Sequence, residues 1–249
     1  CDEGLRYNPG ATAAALENGL LQGEKTFVIN GPGATDFLVL ARTAADSKGT
    51  DGLSLILVPR DAAGVTVNRI HSVDGHSFAQ IKFDQVAVDN QQIIGVPDRA
   101  WDTVAPILDR ATLALAAEML GGARELLERT LAYLNDREQF DVKIGSFQAL
   151  QHRCAQLFCQ LELAQSVVYK GLSAIDQGQQ DVAKLASHAK VLAIDCYQKM
   201  SNEAVQMHGG MGITDEVDIG LFLKRSRVCN QILGDSSFHR ERFAKLCRY

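Results

Sequence analysis

Residues 113–134, LALAAEMLGGARELLERTLAYL, decide how the second part of this chain folds. Apolar side chains recur there every three or four residues, which places them on one face of an α-helix. The positions concerned are Leu113, Ala116, Ala117, Leu120, Ala123, Leu127, Leu131 and Leu134. The surrounding residues 101–136 are rich in Ala, Leu, Glu and Arg, so they predict one long amphipathic helix.

Further helices follow this one with short connections. The predicted spans are residues 145–175, 181–208, 217–230 and a short fifth helix at 238–247. Asp181 is a candidate N-cap for the third helix, and Gly209-Gly210 would stop it. Four long helices joined in this way predict an up-and-down four-helix bundle over residues 98–249.

The first part of the chain has a different pattern, with short apolar runs between turn residues. These runs cover residues 20–21, 26–29, 37–41, 53–58, 65–67, 78–83 and 86–88. Several short strands with regular turns predict a small antiparallel β-barrel or sandwich domain over residues 1–97. Residues 23–25 are expected to form a turn between the first two strands. The predicted fold class is therefore α+β with two domains.

Composition excludes some classes of function. The chain has 249 residues, 46% of them hydrophobic, and a net charge of -5. No long basic run is present, so nucleic acid is not an expected partner. No apolar run approaches the ~18 residues that span a bilayer, and no signal peptide is visible. A cytoplasmic location is expected from the cysteines, whose neighbours favour a reduced chain.

The six cysteines give no sign of a metal site. They are Cys1, Cys154, Cys159, Cys196, Cys229 and Cys247, without a Cys-x-x-Cys pair. This spacing disfavours a metal cluster, and apolar neighbours favour reduced cysteines that act as small hydrophobic residues. No metal is expected.

Four stretches together resemble the acyl-CoA dehydrogenase family, in its order and approximate spacing. Residues 23–31, GEKTFVING, resemble its G-x-K-x-[WF]-I-T-N-[GA] strand, and residues 137–148, REQFDVKIGSFQ, resemble its R-x-Q-F-G-x-x-I-x-x-F-Q segment. Residues 206–213, QMHGGMGI, and the basic helix of residues 221–227 leading to residues 232–236, ILGDS, complete the resemblance. It covers essentially the whole chain, and the second and third stretches together are fairly specific.

The resemblance implies that FAD is the cofactor. The implied contacts are Phe27, Arg137, Phe140, Gln148, Gln206, Gly209, Gly210 and Ser236. The planar guanidinium of Arg137 at a helix end suits a pyrophosphate, although an arginine there can also simply favour the helix dipole. Gly209 and Gly210 let backbone approach a bulky ligand, or they only end the helix. We expect the Arg137 helix end and this glycine turn to converge on FAD across a subunit boundary.

The family reaction is α,β-dehydrogenation of an acyl-CoA thioester. A carboxylate removes the α-proton, and the β-hydrogen leaves as hydride to flavin N5, while the thioester oxygen is stabilised. The resemblance also implies an electron-transfer flavoprotein or similar acceptor, and a homodimer or homotetramer. It implies further that the family's N-terminal helical domain lies outside this sequence, either because the chain is a fragment or because it is a short subunit.

The family's catalytic glutamate is not found at its usual positions. Gly234 and Ala111 match the two places at which family members carry it. Two carboxylates lie close by, and Asp235 is the preferred candidate base, ahead of Asp109. Asp235 could instead be the N-cap of the last helix, and Asp109 a first-turn acid that favours the helix dipole.

A third departure concerns the flavin. Ile29 matches the threonine that hydrogen-bonds flavin N5 in the family. The sequence therefore leaves three functions open. They are an acyl-CoA dehydrogenase, a base-lacking subunit of a hetero-oligomer with a homologous partner, and a flavin-free or acyl-CoA-binding relative.

Overall fold

The computed structural model describes residues 7–249 of the chain. Contacts within the chain divide it into two compact units between Ile107 and Leu108. The domain boundary between residues 97 and 98 stays a prediction.

The first unit is built on one seven-stranded sheet. Its strands are β1 Ala15–Glu17, β2 Leu20–Ile29, β3 Asp36–Arg42, β4 Leu53–Pro59, β5 Val65–His71, β6 Ser77–Ala87 and β7 Ile93–Ile94, in the order β5-β6-β2-β1-β3-β4-β7. Apolar side chains from β2, β3, β4 and β6, such as Leu21, Val39, Ile56 and Phe83, form its buried core. The predicted β-domain is confirmed, but the sheet is mixed, because β1 and β3 pair in parallel.

The turn expected at residues 23–25 is wrong. Strand β2 runs through this point, with register shifts against β6 between Leu21 and Gly23 and between Lys25 and Val28. Gly23 has φ of +140°, and a Cβ there would lie 2.6 Å from the Cα of Ala14. The glycine therefore marks an irregularity in a continuous strand where backbone approaches backbone, and not the end of a strand.

The second unit contains the predicted helices. They are α1 Trp101–Asp136, α2 Gln148–Asp176, α3 Val182–His208, α4 Ile219–Gln231 and α5 Ser236–Leu246, and α1 begins before the division between the units. Strands β8 Glu138–Gln139 and β9 Val142–Lys143 form a small hairpin between α1 and α2. The buried core includes Leu113, Met119, Leu126, Leu157, Leu161 and Ile194.

Helix ends follow the sequence signals in most places. Gly209, with φ of +60°, ends α3 as predicted. Asp181 occupies the N-cap position of α3, but its side chain forms no capping hydrogen bond. Helix α2 begins at Gln148, after the 3₁₀ turn Ile144–Ser146, and α1 continues through Pro106 in its second turn.

The five described cysteines are free, and Cys154, Cys196 and Cys229 are buried. Burial raises the pKa of the Cys196 thiol to about 11 and that of Cys229 to about 12. These thiols therefore stay protonated and behave as small hydrophobic side chains. Cys1 lies outside the described residues.

Candidate functional site

One end of the helical unit brings the Arg137 helix end and the glycine turn together. Tyr133, one turn before Arg137, stacks on His208, the last residue of α3, with ring centroids 4.3 Å apart. The Tyr133 hydroxyl also donates to the backbone oxygen of His208 at 3.4 Å. Arg137 N donates to the oxygen of Tyr133 at 2.8 Å, and Gly209 follows His208 directly. The Arg137 helix end and the glycine turn thus lie side by side within one chain, and their predicted convergence on FAD across a subunit boundary stays a prediction.

The β8–β9 hairpin projects Phe140 from the same end. Phe140 and Asp141 have φ of +54° and +63°, so both central residues of the two-residue loop are left-handed. Such a turn suits the twist of a hairpin, but bulky residues rarely adopt this backbone conformation. Phe140 is 87% exposed, and its ring is edge-on to that of Phe147 at 6.2 Å between centroids. A strained, exposed aromatic residue is an expected feature of a ligand-binding surface.

Other predicted cofactor residues at this end are open to solvent. Arg137, Gln148 and Gln206 are exposed. Among residues 7–249, the Arg137 guanidinium has no hydrogen-bond or ion-pair partner. A Cβ built at Gly209 or Gly210 would meet nothing within 4 Å, so a ligand can approach the backbone there. These residues, which the sequence predicts as FAD contacts, therefore lie on an open surface.

A further contact fixes the start of α2 beside the end of α3. Cys154 Sγ lies 3.9 Å from Met207 Sδ in the core. Arg153 Nη2 pairs with Glu203 Oε2 at 2.5 Å. The exposed end of the helical unit, made of residues 137–148 and 206–210, is therefore supported by both packing and an ion pair.

The candidate base Asp235 lies in the connection between α4 and α5. Its Oδ1 accepts a hydrogen bond from Phe238 N at 2.8 Å, which is the N-cap contact of α5. The side chain is half-buried. Its Oδ2 accepts no hydrogen bond from residues 7–249. Ser236, the next residue, accepts from Arg240 Nε at 3.1 Å.

The other candidate base, Asp109, has a structural partner. It is buried and its Oδ1 lies 2.6 Å from Arg242 Nη1. The first-turn interpretation is wrong, because Asp109 is eight residues beyond Trp101, where α1 begins. A buried carboxylate that is already paired with a guanidinium is poorly suited to accept a substrate proton, so its placement favours Asp235 as the base.

In the sheet unit, Phe27 occupies the irregular part of β2. Its φ is +51°, an outlier for an aromatic residue, and its side chain is 46% exposed. Bulges often redirect a side chain beside a functional site. Ile29 is 52% exposed. Arg60 Nη1 donates to the oxygens of Gly31 and Pro32, at 3.3 and 2.6 Å, and so supports the turn after this strand.

Sequence reasoning missed a buried polar cluster beside Asp235. Lys190 on α3 is fully buried and donates to the oxygens of Cys229 and Ile232, at 2.6 and 2.8 Å. Burial lowers the pKa of Lys190 to about 7. The detectable signal was a lysine on the apolar face of a helix, between Ala186 and Ala193.

Neither a metal centre nor a membrane span is found in the described part of the chain. Among residues 7–249, no group of three or more His, Cys, Asp or Glu side chains could hold a metal ion. No helix in this range is long and apolar enough to cross a bilayer.

The described residues thus form a mixed β-sheet unit and a helical unit whose exposed end carries an arginine and a glycine turn. Two family models match the chain. The model of the acyl-CoA dehydrogenase middle domain matches residues 5–86, and that of the acyl-CoA dehydrogenase C-terminal domain matches residues 99–246. This chain belongs to the acyl-CoA dehydrogenase family.

Individual proteins show the same likeness. The probable acyl-CoA dehydrogenase YngJ of Bacillus subtilis is 29% identical over 237 residues, which cover 93% of this chain and 62% of that protein. The solved glutaryl-CoA complex of glutaryl-coenzyme A dehydrogenase is 25% identical, with a TM-score of 0.88, over 95% of this chain and 61% of that one. PigA with FAD and proline is 26% identical, with a TM-score of 0.89, over 97% and 66%. The chain thus spans less than two thirds of the length of these proteins.

Proposed function

We propose that this chain is the middle and C-terminal part of an FAD-dependent acyl-CoA dehydrogenase. The observation that carries the proposal is the exposed helix end at which Arg137, Phe140 and the Gly209-Gly210 turn meet. Family membership supports the reaction class, α,β-dehydrogenation of an acyl-CoA thioester. The domain boundary near residue 97 is part of the same proposal.

The residues at the exposed end fit FAD. Arg137 would hold a phosphate oxygen through its unpaired guanidinium, and the open backbone at Gly209 and Gly210 leaves room for a bulky dinucleotide. Phe140, Gln148 and Gln206 would add one aromatic and two amide contacts. When bound, FAD supplies the acceptor for a hydride. PigA, a structural neighbour, is described as holding FAD.

Phe27 and Ser236 complete the proposed cofactor contacts. Phe27 would pack on the flavin from the sheet unit, which would explain why a strained backbone is retained there. Ser236 begins α5, where Asp235 takes the Phe238 N–H and the first two N–H groups have no partner within the helix, so they could receive an anion or a polar ligand. Both assignments rest on their positions in the family pattern.

Asp235 is the proposed base for the α-proton of the acyl-CoA substrate. One carboxylate oxygen caps α5, so the carboxylate is held in place while Oδ2 stays available. A base that is fixed by its own helix loses little freedom when it takes up a proton. Asp109 remains the second candidate for the base, although its ion pair with Arg242 disfavours this role.

The proposed assembly and electron acceptor follow from the family. The exposed end of one chain would contact the FAD of a neighbouring copy in a homodimer or homotetramer. An electron-transfer flavoprotein or similar acceptor would then take up the electrons. A cytoplasmic location is proposed as well.

A second candidate function has one specific observation in its favour. Gly234 has φ of +102°, and a Cβ there would lie 2.5 Å from Phe238 Cδ1. This connection therefore has no place for the family's glutamate, which favours a subunit whose homologous partner supplies the base in a hetero-oligomer.

The test is acyl-CoA-dependent bleaching of flavin absorbance in the purified complete gene product. Asp235→Asn should retain bound flavin and the helix cap, because Asn caps as well as Asp, but should lose bleaching by at least roughly 100-fold. Flavin that binds only after co-expression with a homologous partner would favour the hetero-oligomer. Absence of flavin under both conditions would contradict the proposed function.

A further inference from the structure

A buried polar cluster holds the connection that carries Asp235. It consists of Asp109 on α1, Ser187 and Lys190 on α3, and His239 and Arg242 on α5. Ser187, Lys190 and His239 are no more than 1% exposed, and Asp109 is 7% exposed. Charged groups are rarely buried this far without a reason, because their desolvation is costly.

The backbone oxygens at the end of α4 are the targets of this cluster. The last carbonyls of a helix have no partner within the helix. Lys190 Nζ donates hydrogen bonds to two carbonyl oxygens at this end, those of Cys229 and Ile232, at 2.6 and 2.8 Å. His239 Nε2 lies 3.0 Å from the oxygen of Leu233. Three carbonyl groups within the five residues 229–233, directly before Gly234, are thus held by two buried side chains.

Donor and acceptor rules fix the direction of the remaining bonds. Arg242 Nη1 can only donate, and it contacts both Asp109 Oδ1 at 2.6 Å and Ser187 Oγ at 3.2 Å. The Ser187 hydroxyl then donates to His239 Nδ1, 3.3 Å away. This leaves the proton of the neutral ring on Nε2, where it is donated to Leu233. The cluster has one consistent arrangement, so it orients the connection.

The backbone in the connection needs such support. Leu233 has φ of +60° and Gly234 has φ of +102°, two successive left-handed residues. The left-handed backbone conformation is unfavourable for a leucine, which adopts it only where the surrounding structure enforces it. Lys190 holds the backbone oxygen of Ile232, directly before the strained Leu233, and His239 holds the oxygen of Leu233 itself.

We infer that Lys190 and His239 are positioning residues, which hold the α4–α5 connection so that the Asp235 carboxylate is oriented for proton abstraction. The inference rests on the proposed function of Asp235. Cys229, Glu118 and Arg225 face Lys190, and Arg242, Lys190 and Asp235 face His239, so the cluster is also linked by charge. Neither positioning residue is in contact with solvent, and neither touches substrate.

The test compares four variants of the flavin-loaded complete gene product. Lys190→Met and His239→Leu remove the donors, whereas His239→Gln retains a neutral N–H group for the Leu233 oxygen. Lys184→Met is the matched control, because Lys184 is an exposed lysine on the same helix. The measured quantities are the limiting rate of acyl-CoA-dependent flavin bleaching, its pH profile, flavin content, substrate affinity, and hydrogen exchange of amides 233–238.

Lys190→Met and His239→Leu should each slow limiting bleaching by about tenfold or more, because small displacements of a catalytic group are costly. Flavin content and substrate affinity should stay within about threefold, and the pH profile should shift. Exchange of amides 233–238 should rise. His239→Gln and Lys184→Met should match the unaltered protein.

The outcomes separate this inference from the proposed function. Unchanged exchange in both donor-removing variants overturns the inference, and so does faster exchange with an unchanged bleaching rate and pH profile. If Lys190→Met fails to fold, the His239→Leu and His239→Gln pair decides by itself. Normal bleaching in Asp235→Asn would instead remove the base assignment, whereas the exchange result would still report whether the cluster holds the connection.

Discussion

At the scale of single residues, Gly234 lies at the position where the sequence predicts the base of the family. The glycine is buried, with a left-handed backbone and the Phe238 ring against it. A side chain at this position would meet Phe238 Cδ1 at 2.5 Å and His239 Nε2 at 3.1 Å. The conformation of the connection at this position therefore suits only glycine.

Gly234→Ala should destabilise the protein by roughly 2–4 kcal/mol, from the cost of a left-handed alanine and from overpacking. Gly178→Ala is the control, since Gly178 also has positive φ, +63°, but has nothing within 4 Å of a Cβ. The control should lose only about 1 kcal/mol, which chemical denaturation can measure. Equal losses in the two variants would show that the Phe238 contact does not matter.

Sequence reasoning located Gly234 and Asp235 but could not give their geometry. The resemblance predicted where the base should be, with the N-cap role of Asp235 as an alternative. The structure shows the N-cap contact, and the role of Asp235 as the base stays a prediction. The left-handed φ of Phe27, Phe140 and Leu233 left no trace in the sequence, because such angles are set by tertiary contacts and aromatic or branched residues do not signal them.

At the scale of elements, Gly121 and Gly122 show how closely two helices can approach. Both lie in the interior of α1. A Cβ at Gly121 would meet nothing within 4 Å, whereas one at Gly122 would lie 2.6 Å from Tyr197 Oη on α3. Gly122 therefore permits the contact between α1 and α3, and Gly121 does not contribute to it.

Alanine substitution should change the free energy of unfolding in opposite directions at these two neighbouring glycines. Gly121→Ala should stabilise the protein by up to about 1 kcal/mol through helix propensity. Gly122→Ala gains the same propensity but should lose about 1–2 kcal/mol overall, because Tyr197 is buried and cannot move freely. Thermal or urea unfolding measures both changes.

A double-mutant cycle tests the cause. In a Tyr197→Ala background, Gly122→Ala should no longer be unfavourable, because the obstructing ring is gone. A persistent loss in that background would mean that the α1 backbone, and not Tyr197, requires the glycine.

Helices were easier to predict than strands, for a physical reason. The amphipathic period extends over more than twenty residues in α1, α2 and α3, so a few exceptions do not hide it. Strands are short, and the two register shifts in β2 made one strand resemble two with a turn between them. The parallel pairing of β1 with β3 depends on chain topology, which a local pattern does not contain.

At the scale of the whole molecule, the helical unit depends on a core that is not entirely apolar. Asp109, Arg242, Ser187, His239 and Lys190 connect helices α1, α3 and α5 with the end of α4. Sequence analysis foresaw the apolar core from its period but not this network. Its members come together only in the folded chain, since Asp109 and Arg242 are 242 − 109 = 133 residues apart in the sequence. Such a network makes folding stability depend on pH.

The free energy of unfolding should fall as the pH decreases below 7. Protonation of His239 in the unfolded chain is one defined cause. Burial is the main reason that the pKa of His239 is lowered from 6.5 to about 4. The unfolded chain therefore binds a proton between these values while the folded chain does not. The contribution of the neutral His239 to the free energy of unfolding is fully present above pH 6.5 and is lost as the pH falls towards 4, by up to about 3 kcal/mol.

Since Gln does not titrate in this range, His239→Gln should flatten this part of the stability curve. Urea unfolding measured from pH 7 to pH 4 gives the slope, and His152→Gln, at an exposed histidine on α2, is the control. A slope that His239→Gln leaves as steep as before would show that other groups, and not the buried imidazole, set the acid sensitivity of the molecule.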